Sequence, residues 1–385
     1  MEYKLSELFD LQMGKTPSRN NHIYWNTGDN KWISIGDLSE SNIYITETKE
    51  HISDLAVRES GIKAIPENTV VMSFKLSIGK TAITTQEMYS NEAIMAFIDK
   101  KTITVLPEYL YYLLSGQDWN KGTNNAVMGK TLNKATLSER KIYIRSLEEQ
   151  KKIVDILNGI KQIIDKYKSQ LNKLDTLIKA RFVEMFGDAT NNNKDWETAS
   201  VESVCQEILG GGTPSKAHPE YYEGGDIPWV SSKDMKADVL YDSQIRINKL
   251  GVENSAARMV PVNSVIMVIR SGILKHSLPV AINAVPLTVN QDLKVFVPGD
   301  RIITRFMATQ FKMQEKKILA GVRAVTADNI EFNSLKQRLL IIPPIELQNE
   351  FVSFAEQVDK SKSAIQKSLE KTQTLFDSLM QEYFG

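Results

Sequence analysis

The chain has 385 residues, sets 47 Lys and Arg against 47 Asp and Glu, and is 42% hydrophobic. That length supports roughly two to three domains with ordinary packed cores, and the even charge argues against a stand-alone polycation that grips nucleic acid over its whole surface. A single cysteine, Cys205, excludes an intrachain disulfide, and no run approaches the ~18 apolar residues of a membrane span.

The opening segment, MEYKLSELFDL, has neither the basic stretch nor the apolar run of a secretory signal, so a cytoplasmic location is expected. Next comes a Gly-Lys-Thr-Pro-Ser turn (14–18) and an aromatic segment, WNTGDNKWISIGDL (25–38). Three short apolar and β-branched runs at 69–74, 80–84 and 92–98 predict strands, and 108–117 predicts a short helix. In 153–178 the apolar residues Ile153, Leu157, Ile160, Ile164, Tyr167, Leu171, Leu174 and Ile178 alternate spacings of four and three. That spacing draws one apolar seam along a long helix, the coiled-coil pattern. Ser146 and Glu149 form a capping box at its start, and Gly187 offers a C-terminal cap.

The plan then repeats. From Gly14 to Asp37, ten of 24 residues recur at a constant offset of 197: Gly14, Thr16, Pro17, Ser18, Tyr24, Gly28, Asp29, Trp32, Ser34 and Asp37. Strands are predicted at 264–270, 278–282 and 292–297, and a helix at 303–314. Residues 344–385 match 146–187 at an offset of 198, with ten of 42 positions identical. The second seam carries Phe351, Ala355, Val358, Ile365, Leu369, Phe376 and Leu379, interrupted by Lys362 and Thr372. A period this long implies two whole domains rather than a solenoid. The expected architecture is therefore α/β: two tandem mixed domains, 1–145 and 188–343, each followed by a long helix, 146–187 and 344–385. The helices are expected to pack as an antiparallel coiled coil, giving an internal pseudo-twofold repeat. About 35 helical residues at ~1.5 Å rise give a rod near 50 Å.

Catalytic and cofactor signatures are absent from the pattern. Gly14-Lys15-Thr16 resembles the end of a phosphate loop, but that motif needs a glycine where Phe9 stands. His22, His51, His218 and His276 stand singly, without metal-ligand spacing. Glu149-Gln150-Lys151 resembles the tail of a nuclease carboxylate motif, yet its position predicts a helix cap. No metal site and no catalytic residue are expected.

Taken together, the duplicated GKTPS and GGTPS turns, the aromatic-Gly-Asp-x-x-Trp segments at 25–38 and 222–235, and the S/P-x-E-x-Q starts at 146–150 and 344–348 resemble the specificity subunits of type I restriction-modification systems. The likeness implies a non-enzymatic subunit with two target-recognition domains. Each domain would read one half of a bipartite, asymmetric site in double-stranded DNA, with the helix pair setting the spacer. It further implies two methylation subunits bringing S-adenosylmethionine, and restriction/translocase subunits using ATP and Mg, with no cofactor bound by this chain. Two alternatives stay open here. One is the targeting subunit of a type IIB-like system. The other is a duplicated coiled-coil adaptor that does not bind DNA.

Candidate DNA contacts are basic residues at comparable places in both copies: Lys75 with Arg270, and Lys80 with Lys275, beside the small residues Ser77, Gly79, Ser271 and Gly272. Phosphate contacts are expected of them, since these set register without reading sequence. Lys15, Arg19 and Lys216 flank the Thr-Pro-Ser turns. Base readers are expected in the unmatched regions, with Asn124, Asn125 and Lys130 in one copy and Arg323 in the other. Trp32 and Trp229 are expected to anchor the fold rather than stack on a base.

Overall fold

The computed structural model describes residues 1–40, 42–75, 77–119, 132–324 and 328–385. The chain forms two compact units, one of Met1–Lys168 with Gln366–Gly385, the other of Ser169–Ile365. Each long helix, Leu147–Phe186 and Ile345–Phe384, therefore contributes to both units.

In the first unit, a five-stranded sheet has the spatial order Phe9–Met13, Ile94–Asp99, Val70–Ser73, Thr81–Thr84, Tyr44–Ile45. All neighbours are antiparallel except the last pair, where Tyr44 aligns in parallel with Ile83. The strands Val70–Ser73 and Thr81–Thr84 are buried at every residue, so neither shows the alternation of a sheet with one wet face, and Ser73, Thr81 and Thr84 are buried polar residues within them. A smaller sheet holds Glu50–Ile52, Trp25–Ile33 and Tyr89–Ser90.

The second unit repeats this topology strand for strand. Its five-stranded order is Cys205–Gly210, Leu293–Pro298, Val265–Val268, Val280–Asn283, Val239–Leu240, again with one parallel edge, where Val239 aligns with Ile282. Its small sheet holds Arg246–Ile247, Ile227–Val230 and Thr288–Val289. One addition has no counterpart among the described residues of the first unit, a hairpin of Arg323–Ala324 with Asp328–Asn329. The expected mixed α/β class and the central strands are present. The flanking strands and the parallel edges were not predicted.

The aligned sequence blocks turn out to be fold-forming. Asp37 is buried, and its carboxylate accepts from Ser34 N and Oγ (2.7 and 2.6 Å) and from Lys49 N (2.9 Å). Asp234 repeats the arrangement with Ser231 N and Oγ (2.8 Å each) and Gln244 N (2.9 Å). Trp32 and Trp229 are buried, and their indole N–H groups donate to Lys15 O (3.1 Å) and Gly212 O (2.9 Å). Each tryptophan thus ties the Gly-x-Thr-Pro-Ser turn to the small sheet, as expected of an anchor.

The helix starts are built alike. Ser146 and Glu149 make the predicted capping box, Ser146 N donating to Glu149 at 3.0 Å and the two side chains meeting at 2.7 Å. Glu149, which the hydrogen bond from Ser146 holds below the usual carboxylate range, is thereby a cap. Gly187 ends the helix with φ +75°, the left-handed conformation of a C-terminal cap. One residue after Glu149, Gln150 is buried, accepts from Leu106 N (2.9 Å) and donates to Thr104 O (3.1 Å) and Arg145 O (3.0 Å). Gln348 does the same with Ile303 N, Arg301 O and Pro343 O at 3.0, 3.0 and 2.9 Å. Leu106 and Ile303 are the N-cap residues of the short helices Pro107–Gly116 and Thr304–Met313. The duplicated glutamine therefore clasps the long helix to the short one before it.

The seam residues turn inward in both helices. Ile153, Leu157, Ile164, Ile178, Phe351, Ala355 and Val358 are buried, and Ile160, Tyr167, Leu171, Leu174, Ile365, Leu369, Phe376 and Leu379 are half-buried. The partners of the seam are broader than the heptad pattern alone implies. In the second unit, Phe182, Phe186, Phe306 and Phe351 form one ring cluster, Phe182 lying 5.5 Å from both Phe306 and Phe351. Both long helices and the short helix meet there, and each fully buried ring contributes roughly 1.5–3 kcal/mol. Arg181 pairs with Glu350 at 2.8 Å and Asp175 with Lys362 at 2.5 Å, so the contact runs in opposite chain directions over this stretch. In the first unit, Ile153, Val154 and Leu157 share a core with Phe376, Leu379, Met380 and Phe384. Tyr112 touches both helices, donating to Asn158 (2.7 Å) and packing edge-on against Phe376 at 6.2 Å.

Candidate nucleic-acid interface

In each unit the Gly-x-Thr-Pro-Ser turn lies against the turn that precedes the second main-sheet strand, Ile94–Asp99 in the first and Leu293–Pro298 in the second. Lys15 N donates to Ser90 O at 2.8 Å, and Gly212 N to Val289 O at 3.0 Å. A Cβ on Gly14 would stand 2.2 Å from Asn91 O, and one on Gly211 would stand 2.0 Å from Val289 O, so only glycine fits either place. Thr16 donates to Glu92, and Thr213 to Gln291, at matching positions. The loop after the third main-sheet strand opens on the same edge, because Phe74 N bonds Ala93 O (3.0 Å) and Arg270 N bonds Asp292 O (3.2 Å). Two sequence features far apart in the chain, the turn and the basic loop, thus share one edge of each domain. The residues that join them, Glu92 in one copy and Gln291 with Asp292 in the other, were not picked out from the sequence. The readable signal was the asparagine preceding them, Asn91 and Asn290.

Of the basic candidates on this edge, Arg19, Arg270 and Lys275 meet carboxylates. Arg19 is paired with both oxygens of Glu50 and lies over Trp25, its guanidinium 3.7 Å from the ring centroid. The hydrogen bond to Glu50 raises its pKa. Lys15 donates to Ser60 O. Lys75 sits 5.3 Å over the Phe74 ring, and Lys80 bonds Ser39 Oγ. Glu92 is held below the usual carboxylate range first by the hydrogen bond from Thr16, with Lys75 and Arg19 adding to it. In the second unit, Arg270 pairs with Asp292 at 2.6 Å and Lys275 with Asp328 at 3.8 Å, while Lys216 is exposed on the turn. Strand register brings Arg270, Asn329 and Arg323 side by side, since Asn329 pairs with both arginines' backbones. The Arg323 side chain, and the whole of Asn124, Asn125 and Lys130, lie outside the described residues.

One expected correspondence changes. Met72 aligns with Thr81 and Met267 with Val280, so the intervening loop is four residues longer in the second copy. Lys75 and Arg270 remain equivalent, but Lys80 matches Pro279. Lys275 belongs to a 3-10 turn, Gly272–Lys275, that has no counterpart among the described residues of the first loop. Gly79 is also explained locally: its φ is +91°, and a Cβ there would come 3.1 Å from Trp119. Gly272 is different, with nothing within 4 Å of an added Cβ.

Among the described residues, no three His, Cys, Asp or Glu side chains group as metal ligands, and no helix is long and apolar enough to cross a membrane. Cys205 is half-buried, its thiol pushed by burial up to about 12.

One frame built twice, with different loops on the same edge, defines a duplicated recognition protein. Residues 1–176 and 193–373 match the type I restriction modification DNA specificity domain, and the chain belongs to that family. It is 24% identical over 399 residues to the type I restriction enzyme MjaIX specificity subunit of Methanocaldococcus jannaschii, covering 98% of this chain and 90% of that one. It is 28% identical over 240 residues to the EcoR124I/EcoR124II specificity subunit of Escherichia coli, covering 60% and 59%. Its fold is similar to the crystal structure of a type I restriction-modification S subunit from M. genitalium, with TM-score 0.57 and 12% identity over 100% of this chain and 96% of that one.

Proposed function

We propose that this chain is the non-catalytic DNA-recognition subunit of a cytoplasmic type I restriction-modification complex. Domains 1–145 and 188–343 each read one half of a bipartite, asymmetric site. The helices 146–187 and 344–385 act as an antiparallel coiled coil that sets the spacer. At 40 residues each they are longer than the sequence pattern implied, about 60 Å at ~1.5 Å per residue, or roughly 18 base pairs at ~3.4 Å. Two methylation subunits supply S-adenosylmethionine chemistry, restriction/translocase subunits supply ATP- and Mg-dependent steps, and this chain binds none of these cofactors.

The observation that carries the proposal is the strand-for-strand repetition of one frame whose basic edge differs between copies, by a loop four residues longer in the second. Shared frames give shared mounting, and unlike loops give unlike half-sites. The ion-paired Arg19, Arg270 and Lys275 on that edge would exchange their carboxylates for phosphates, which favours binding in the complex over tight binding by the free chain. Methylome sequencing with and without the gene tests the proposal: a two-part adenine-methylated motif should vanish on deletion, and its persistence would refute it. In the reconstituted complex, Lys75→Ala and Arg270→Ala should each weaken DNA binding and lower the slope of log K against log salt by about 1.

A further inference from the structure

Lys362 interrupts the apolar seam of the second long helix, and the structure shows what it meets. Its ammonium pairs with Asp175 of the first long helix at 2.5 Å and lies 3.7 Å from Asp238 of the second recognition domain. Asp238 also takes Lys312 at 2.5 Å and Arg305 at 4.0 Å, and Arg305 reaches Asp359 at 2.9 Å. Three cations and three anions from both long helices, the short helix Thr304–Met313 and the domain's parallel edge thus form one network. Its Arg305 and Lys362 side chains are only 12% and 20% exposed.

The first copy is an internal control. By strand and helix register, Asp238 corresponds to Ile43, Arg305 to Glu108, Lys312 to Ser115, Asp359 to Lys161 and Lys362 to Ile164. Ile43 and Ile164 are buried there. The same frame is therefore built with isoleucine at both centres, and the charges are not needed to make it. Apolar side chains pack at many registers, whereas a polar residue at a seam position is satisfied at one. A slip of one helical turn, about 5.4 Å, would part Lys362 from both carboxylates.

We propose that Lys362 is a positioning residue: with Asp175 and Asp238 it fixes the axial register of the second long helix against the first and against the second recognition domain. Its consequence for DNA, strict spacing of the second half-site, rests on the function proposed above.

The test uses the full chain and its reconstituted methylation complex. In a Cys205→Ser background, spin labels at the exposed positions Lys179 and Gln357 report the register of the helices in the free protein. Wild type and Lys362→Arg should give one narrow distance distribution. Lys362→Ile with Asp238→Ile, which copies the first domain, should melt within a few degrees of wild type yet give a broadened or double distribution. Asp175→Asn, a milder change, should broaden it too. A single unchanged distribution in both variants overturns the proposal. In the complex, the double isoleucine variant should methylate sites with spacers one base pair longer or shorter within about tenfold of the native spacer. Discrimination equal to wild type also overturns it. If the wild-type complex methylates no two-part site, the proposed function fails instead, while the label distances still decide the register.

Discussion

Replacing Gln348 with leucine should loosen the second unit in a way that can be located to a single amide. The side chain is wholly buried and satisfies three backbone groups, the N–H of Ile303 and the carbonyls of Arg301 and Pro343. Leucine fills similar space but accepts and donates nothing. A buried donor left unsatisfied costs about 1–3 kcal/mol, and the two carbonyls, each with a second lone pair, add less, so a loss of roughly 2–4 kcal/mol is expected. Gln150→Leu should cost the same in the first unit, through Leu106, Thr104 and Arg145. With two compact units, a single global transition is not assured, so local exchange is the better readout. Native-state hydrogen exchange should show the Ile303 amide losing protection in Gln348→Leu, and the Leu106 amide in Gln150→Leu. Retention of both amides' protection, with melting unchanged, would refute the clasp.

The glycines of the shared edge separate fold from contact. Gly211→Ala should cost about 2–4 kcal/mol, because its Cβ would fall 2.0 Å from a backbone oxygen that cannot retreat; full exchange protection of the 289–293 turn in that variant would show the site to be roomier than described. Gly272→Ala meets nothing within 4 Å and should leave stability within about 0.5 kcal/mol, so weaker DNA binding there would mark close approach of the duplex, and unchanged binding would argue against it. For Cys205, a thiol pushed up to about 12 from its ordinary 9.0 should alkylate at pH 8 about a thousandfold more slowly folded than in denaturant. Equal rates in thiol titrations would refute its burial. The sign for stability follows: a folded-state pKa above the unfolded one favours the protonated native chain, and that benefit is lost as pH rises through 9 toward 12.

The long helices were legible because their signals are local: a seam repeated every three and four residues, a capping box within four residues, and a glycine at the C-terminal cap. The same pattern could not say what the seam faces. Ile153 and Leu157 bury into the first unit's core, and Phe351 into a ring cluster with the short helix of the second, since an apolar stripe carries no label for its partner. The basic edge was legible in place but not in charge. Arg19 and Arg270 meet carboxylates 31 and 22 residues away, and only the folded chain brings those together.

Duplication makes this chain an experiment already performed on itself. Where the two copies agree in residue and geometry, as with Asp37 and Asp234, Trp32 and Trp229, or Gln150 and Gln348, the residue serves the frame, because both frames need it whatever each domain reads. Where the frame is kept and the residue changes, as from Ile164 to Lys362 or Glu92 to Gln291, the fold has tolerated the change, and its cause must be sought in what each domain does. By that criterion the identical residues that first revealed the repeat are poor candidates for reading DNA. The four-residue extension carrying Lys275 is the better one, since the corresponding loop of the first domain is built without those residues.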